Sequence, residues 1–280
     1  MGKSDYRKDG KSSGKNEGKF GKKSYPRTNA PRKRKPQPKQ PSDPSLIRLN
    51  KYVANAGVCS RRDADVYIAA GNVTVNGKPI TEMGYKVKLI DEVRFDGRLL
   101  NPEKKEYILL NKPKNFITTT RDEKGRRTVM ELISNASKAR LVPVGRLDRN
   151  TTGLLLFTND GDLAKKLTQP RYGVRKIYHV ELNKNLKVDD LHKIQEGLSL
   201  DDGEVKVDEV SYINNAPKRE VGIEIHSGKN RIVRRIFEHL GYDVVKLDRV
   251  IFASLTKKDL PRGHWRPLTS QEVINLGMIQ

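Results

Sequence analysis

The chain has 280 residues, more than the roughly 100–150 typical of one domain, so two modest domains plus an appendage are expected. Its 56 Lys and Arg against 34 Asp and Glu give a formal net charge of +22, which points to a polyanionic partner and ranks nucleic acid above an anionic membrane. Apolar runs such as residues 153–157 fall far short of the roughly 20 residues of a spanning helix. The start, MGKSDYRKDG, has no apolar core of a secretory signal. Cys59 is the single cysteine, which excludes an internal disulfide framework and a multi-cysteine zinc site. The five histidines are scattered without metal-ligand spacing, so no metal is expected, and the location expected is the cytoplasm.

Residues 1–45 contain no Leu, Ile or Val but carry 14 Lys or Arg against 4 Asp or Glu, with six prolines. Such a segment cannot bury a core and is expected to be a disordered basic arm. It either neutralises nucleic-acid phosphates or acts as a solubilising tail.

From Leu46 the pattern changes. Leu46, Leu49, Val53 and Ala56 recur at three- and four-residue steps, predicting one helix that ends at Gly57. Ser60 followed by Asp63 reads as a capping box opening a second helix, which stops before Gly71. Val73-Thr74-Val75 then meets Asn76-Gly77, a tight-hairpin pair, and Val87, Leu89, Val93 and Phe95 suggest further short strands. Cys59 reads as small buried filler.

This stretch, Leu46-Ile47-Arg48-Leu49-Asn50-Lys51-Tyr52-Val53 through Ser60-Arg61-Arg62 to Val73-Thr74-Val75-Asn76-Gly77-Lys78, resembles the S4 RNA-binding domain. The resemblance implies phosphate contacts from Arg48, Lys51, Arg61 and Arg62 near the first turns of the helices. The alternative for Arg61 and Arg62 is a solvated helix start.

Residues 101–105 form a polar linker. Beyond it, strand character marks residues 107–110, 153–158, 176–182, 220–226 and 244–252, with helical patterns at 128–133, 160–167, 188–198 and 230–240. Without regular βαβ spacing, the expected fold is α+β with a mainly antiparallel sheet flanked by helices, divided as arm 1–45, RNA-binding unit 46–105 and second domain 106–280. Neither a glycine-rich dinucleotide loop nor a P-loop is present. Trp265 reads as a core or lid anchor.

The densest chemical statement is Val144-Gly145-Arg146-Leu147-Asp148-Arg149-Asn150-Thr151-Thr152-Gly153, a carboxylate between two arginines on a loop that enters a strand. Nearby cations would keep Asp148 ionised and fit to act as base or nucleophile; a structural ion pair in a polar loop fits the same spacing.

Gly145-Arg146-Leu147-Asp148, Thr151, Gly153 and Leu154-Leu155-Leu156-Phe157-Thr158-Asn159-Asp160-Gly161 are similar to the signature of the RsuA/RluB family of rRNA pseudouridine synthases. Arg175-Lys176-Ile177-Tyr178-His179-Val180 looks like the family's tyrosine strand, and Gly228-Lys229-Asn230-Arg231-Ile232-Val233-Arg234-Arg235 like its basic helix start. The resemblance runs from about Leu46 to near Pro267. It implies that Asp148 is the catalytic aspartate, Tyr178 lies beneath the target base, Arg234 pairs with the aspartate, Arg146 helps open the target base and Leu247 packs against the site. Arg231 and Arg235 would contact RNA; the alternative for Arg231, Arg234 and Arg235 alike is a solvated helix face. Lys112-Pro113-Lys114-Asn115 departs from the family, which often has glycine at the last position.

The implied reaction breaks the bond from ribose C1′ to uracil N1, turns the base and joins C1′ to C5. No atom is gained or lost, so no cofactor is expected. The uridine must leave the stack. Asp148 could attack C1′ or remove a ribose proton to give a glycal, and Tyr178 could assist loss of the C5 proton. The expected partner is ribosomal RNA or a ribosome-assembly intermediate, with no membrane, for a monomer acting on large-subunit rRNA, on the closer look to RluB. The alternatives are a small-subunit enzyme, a non-catalytic ribosome-assembly protein on the same scaffold, or a carboxylate nucleoside hydrolase. The last lacks a second carboxylate paired with Asp148.

Overall fold

A computed structural model describes residues 45–279 of the chain. The expected basic arm lies, but for Ser45, outside the described residues.

Strand β1 (Leu46–Arg48) leads directly into α1 (Leu49–Asn55), followed by α2 (Arg61–Ala69), β2 (Val73–Val75), β3 (Lys78–Pro79), β4 (Lys86–Lys88), β5 (Val93–Phe95) and β6 (Arg98–Leu99). The single helix expected from Leu46 is therefore a strand and a shorter helix. Leu46 to Arg48 pair antiparallel with Lys88 to Lys86, a long-range ladder that local periodicity does not encode. The capping box at Ser60 is present, with Asp63 N–H donating to Ser60 Oγ at 3.2 Å and the Asp63 carboxylate accepting from Ser60 N–H. Asn76 and Gly77 take positive φ between β2 and β3, as the hairpin requires. Leu49, Val53, Ala64, Ile68, Val73 and Val93 close a small core, with Cys59 packed at its edge.

The second part contains β7 (Tyr107–Lys112), β8 (Val142–Pro143), β9 (Thr152–Thr158), α3 (Gly161–Thr168), β10 (Lys176–Leu182), α4 (Val188–Glu196), β11 (Leu198–Leu200), β12 (Gly203–Val205), β13 (Glu209–Tyr212), β14 (Glu220–Ile225), α5 (Ile232–His239), β15 (Val244–Phe252), β16 (Leu255–Thr256), β17 (Trp265–Pro267) and α6 (Ser270–Gly277). A nine-stranded sheet runs β13-β14-β10-β15-β9-β7-β17, with β16 on β15 and β8 on β9. Its pairings are antiparallel except β15 with β9, so the expected α+β fold with a mainly antiparallel sheet is what forms. The expected helix over 128–133 shrinks to a single 3₁₀ turn, Glu131–Ile133.

Period-two alternation sorts the sheet's two faces. Tyr178, Val180 and Leu182 of β10 and Leu247 of β15 join α4 and α5 in one core. Leu109, Leu154, Leu156 and Phe252 join α3 and α6 in the other. Trp265 packs as a half-buried residue of β17 against the first core.

Candidate functional site

The loop between β8 and β9 is bolted down from beneath. Lys112, at the end of β7, is fully buried. Its ammonium donates to the carbonyls of Thr151 (2.9 Å), Pro113 (3.1 Å), Asp148 (3.1 Å) and Arg149 (3.3 Å). Burial pulls this lysine down to about 8, opposed by the Asp148 charge. Thr118 adds a second tie, its hydroxyl donating to Leu147 O at 2.7 Å and accepting from Leu147 N–H at 3.2 Å. Asn115 N–H donates to Arg149 O at 2.9 Å from a left-handed backbone, φ 72°. Asn115 thus occupies a conformation that glycine favours and that asparagine tolerates better than most residues, which accounts for the departure at this position. Gly153 has φ 104°, and a Cβ there would run into the backbone of Arg249 where β9 and β15 pair.

Asp148 therefore projects from a fixed loop. Its side chain is about a third exposed (36 %), and Arg231 Nη1 lies 3.8 Å from its Oδ2. It stands where two openings meet. A cavity of about 180 Å³ is lined by Arg146, Leu147, Asp148, Thr151, Tyr178, Leu247 and Arg249, among others. A wider groove of about 690 Å³ is rimmed by Arg121, Lys124, Arg126, Arg146, Arg149 and Arg231. Tyr178 and Leu247 are buried on the same sheet face and line the smaller cavity, so the sequence-predicted Asp148, Tyr178, Leu247 and Arg146 converge on one place.

Arg234, expected as the partner of the aspartate, does not make that ion pair. It is buried, donating through Nη1 to Val244 O at 2.8 Å, and does not line the cavity. Burial lowers its affinity for its proton, with Arg231 acting in the same direction and the Asp148 charge opposing. The geometric reason is the helix start. Arg231 caps α5 in a left-handed conformation, φ 49°, and swings towards the loop, whereas Arg234 falls on the inner face of the first turn beside Val233 and Phe237. Direct pairing with Asp148 thus falls to Arg231.

The other basic residues have mixed surroundings. Arg48, Arg61 and Arg62 are exposed. Lys51 is held 2.7 Å from Asp162 of α3, and Arg235 makes a two-pronged pair with Asp202 at 2.7 and 2.9 Å. Sequence reasoning missed three cations that the fold places at the site: Lys112, Lys176 and Arg249. The one available signal was their position on strands, Lys112 closing the apolar run of β7 and Lys176 two residues before Tyr178 on the same face.

Comparison with known proteins decides what the arrangement belongs to. Residues 106–239 match the RNA pseudouridylate synthases and residues 47–93 the S4 domain. The chain is 40% identical over 234 residues to the ribosomal large subunit pseudouridine synthase B of Bacillus subtilis, covering 82% of this chain and 96% of that one. The chain belongs to the RNA pseudouridine synthases. It is also 38% identical over 235 residues to the dual-specificity RNA pseudouridine synthase RluF of Escherichia coli K12, covering 83% of this chain and 79% of that one. A crystal structure of a pseudouridylate synthase superposes with a TM-score of 0.59 at 28% identity, covering 82% of this chain and 99% of that one. This synthase therefore carries an RNA-binding S4 domain ahead of an isomerase domain. Among the described residues no helix is long and apolar enough to cross a membrane.

Proposed function

We propose that the protein isomerises uridine to pseudouridine at a defined position of large-subunit ribosomal RNA, with Asp148 as the reacting carboxylate. The observation that carries this is the convergence of Asp148, Tyr178 and Leu247 on one small cavity opening into an arginine-rimmed groove. The rim neutralises phosphates and positions the strand. The extruded base enters the small cavity, where the Tyr178 ring and Leu247 face it and the Tyr178 hydroxyl can assist loss of the C5 proton, passing its own proton on as it receives that one. Arg146, exposed on the loop two residues before Asp148, is placed to fill the gap left by the extruded base.

Asp148 acts at C1′ or C2′ of the ribose. Arg231 orients the carboxylate, and Arg234 adds a second positive charge from behind it. The S4 domain, residues 46–105, docks the RNA through Arg48, Arg61 and Arg62, and residues 106–280 perform the chemistry. Lys51 and Arg235 would exchange their carboxylate partners for phosphates. The large-subunit target is supported by the relative from Bacillus subtilis. The single cysteine suits a reducing cytoplasm, where the natural substrate would be ribosomal RNA or a ribosome-assembly intermediate and the protein would act as a monomer.

Pseudouridine mapping on both ribosomal RNAs from cells lacking the protein tests the proposal. One modification should vanish from large-subunit RNA and return with the wild-type gene. Loss from small-subunit RNA alone would move the target, and an unchanged map would remove the proposed substrate.

A further inference from the structure

Two of the cations beneath the Asp148 cavity have no acidic partner. Lys176 and Arg249 both line it, and Arg249 stands opposite Tyr178 in the β10–β15 register. Arg249 is 3 % exposed; its Nε donates to Leu154 O at 2.8 Å and its guanidinium lies over the Phe252 ring at 4.5 Å. Its Nη2 is buried without a hydrogen-bond partner, as is the Thr151 hydroxyl, which lines the same cavity. The Lys176 ammonium donates to His226 O at 3.0 Å and Ser227 O at 3.3 Å, which leaves one of its three N–H groups free. Among the described residues, neither cation forms an ion pair.

Unpaired buried charge is costly, and two like charges on one floor compound the cost. Burial pulls Lys176 down to about 8, Arg249 pushes in the same direction, and the Asp208 charge opposes without forming an ion pair. Arg249 is lowered by burial too, with the Tyr178 hydroxyl opposing. Donors left unmatched beside a cavity have value when a ligand brings negative charge to them.

Resting on the site reading above, we propose that Lys176 and Arg249, with the Thr151 hydroxyl, form an anion-stabilising floor for the uracil ring after it leaves the ribose. When the C1′–N1 bond breaks, its electron pair stays with the base, whose negative charge spreads over N1, O2 and O4. C1′ is meanwhile taken by the Asp148 carboxylate, or C2′ gives up a proton. The ring then turns and its C5 bonds to C1′ as the Asp148–C1′ bond breaks, or as C2′ takes its proton back from Asp148; the C5 proton then leaves and N1 gains a proton, which gives the neutral product. The charge on the ring exists only between the two bond events. Positive charge and donor dipoles held beneath the ring therefore lower the barrier without tightening ground-state binding.

The test compares uridine with 5-fluorouridine at the target position of the RNA, following loss of the N-glycoside in a single turnover at saturating enzyme. Fluorine withdraws electrons, so the detached fluorinated base needs less help from the protein. Lys176→Met should slow uridine by about 10²-fold, as removal of an oxyanion donor does, and 5-fluorouridine by about 10-fold or less, with RNA affinity nearly unchanged. Lys176→Arg, which keeps the charge, should recover much of the uridine rate. Equal losses on the two substrates, or no loss, would overturn the floor. Arg249→Gln, which removes the charge, gives the same discrimination on the same pair if the methionine variant does not fold. Wild type and Asp148→Ala run in parallel. If wild type converts neither substrate, or Asp148→Ala converts uridine, the site reading itself fails; otherwise a substrate-independent loss counts against the floor alone.

Discussion

Replacing Lys112 by methionine keeps the side chain out to the ε position and removes the ammonium that holds the Asp148 loop. Its three N–H groups serve four carbonyls at 2.9–3.3 Å, three of them within the loop. Hydrogen bonds to a charged group contribute about 1.5–3 kcal/mol each, so the set is worth roughly 5–9 kcal/mol before opposing effects. Two effects oppose it: the cost of burying the charge, visible in the fall of Lys112 to about 8, and the chance that the freed carbonyls find water on the open side of the loop. The net expectation is a loss of about 2–4 kcal/mol of stability, because orphaned buried acceptors cost about 1–3 kcal/mol each. Chemistry should suffer as well. A shift of about 1 Å in Asp148 can cost on the order of 10²-fold in rate. Urea unfolding gives the first quantity and single-turnover conversion on saturating RNA the second, with RNA affinity expected to change little. A variant within about 0.5 kcal/mol of wild type and equally fast would refute the idea that this lysine sets the loop.

Arg231→Ala removes the guanidinium nearest Asp148 and should slow single-turnover chemistry by about 10–10²-fold, more than Arg235→Ala, whose partner is Asp202; a larger effect at Arg235 would reverse the assignment. Asp248 would be raised by burial alone, yet hydrogen bonds from Arg262, Lys257 and Thr152 hold its carboxyl at about 2. A depressed carboxylate stabilises the fold above its unfolded value of about 3.9, and that contribution is lost as pH falls through about 2. Asp248→Asn should therefore cost about 1–3 kcal/mol at neutral pH and flatten the acid slope between about pH 4 and 2, read by denaturant unfolding across pH. An unchanged slope would show that Asp248 is not the linked group. Deleting residues 1–45, with their net charge of +10 from 14 basic and 4 acidic residues, should weaken RNA binding and lower the salt slope by about 0.7 for each single-strand phosphate released. Identical slopes would take the arm off the RNA.

Elements with a local cause were legible in the sequence. The Ser60–Asp63 capping box, the Asn76-Gly77 hairpin and the alternation of β10 each follow from neighbours within four residues, and each forms. Elements made by distant partners were not legible: β1 exists because Val87 and its neighbours lie beside it. Helix α6 carries a local signal of the same kind, Thr269 followed by Glu272 in a capping box. At the site, the loop bearing Asp148 and the strand bearing Tyr178 could be named in advance. Their supports could not, since charged residues are normally assigned to solvent. Lys112 meets Thr151 across 39 positions, and Arg249 meets Leu154 across 95. The exchange of Arg234 for Arg231 turns on one left-handed residue at the start of α5, which no residue type at that position announces.

The most direct test is tritium release from C5-labelled ribosomal RNA by wild type and by Asp148→Ala. Wild type should release the label as uridine is converted. The alanine variant, folded and still binding RNA, should release none above background. Release by the variant at the wild-type rate would contradict the assignment of Asp148 as the reacting carboxylate.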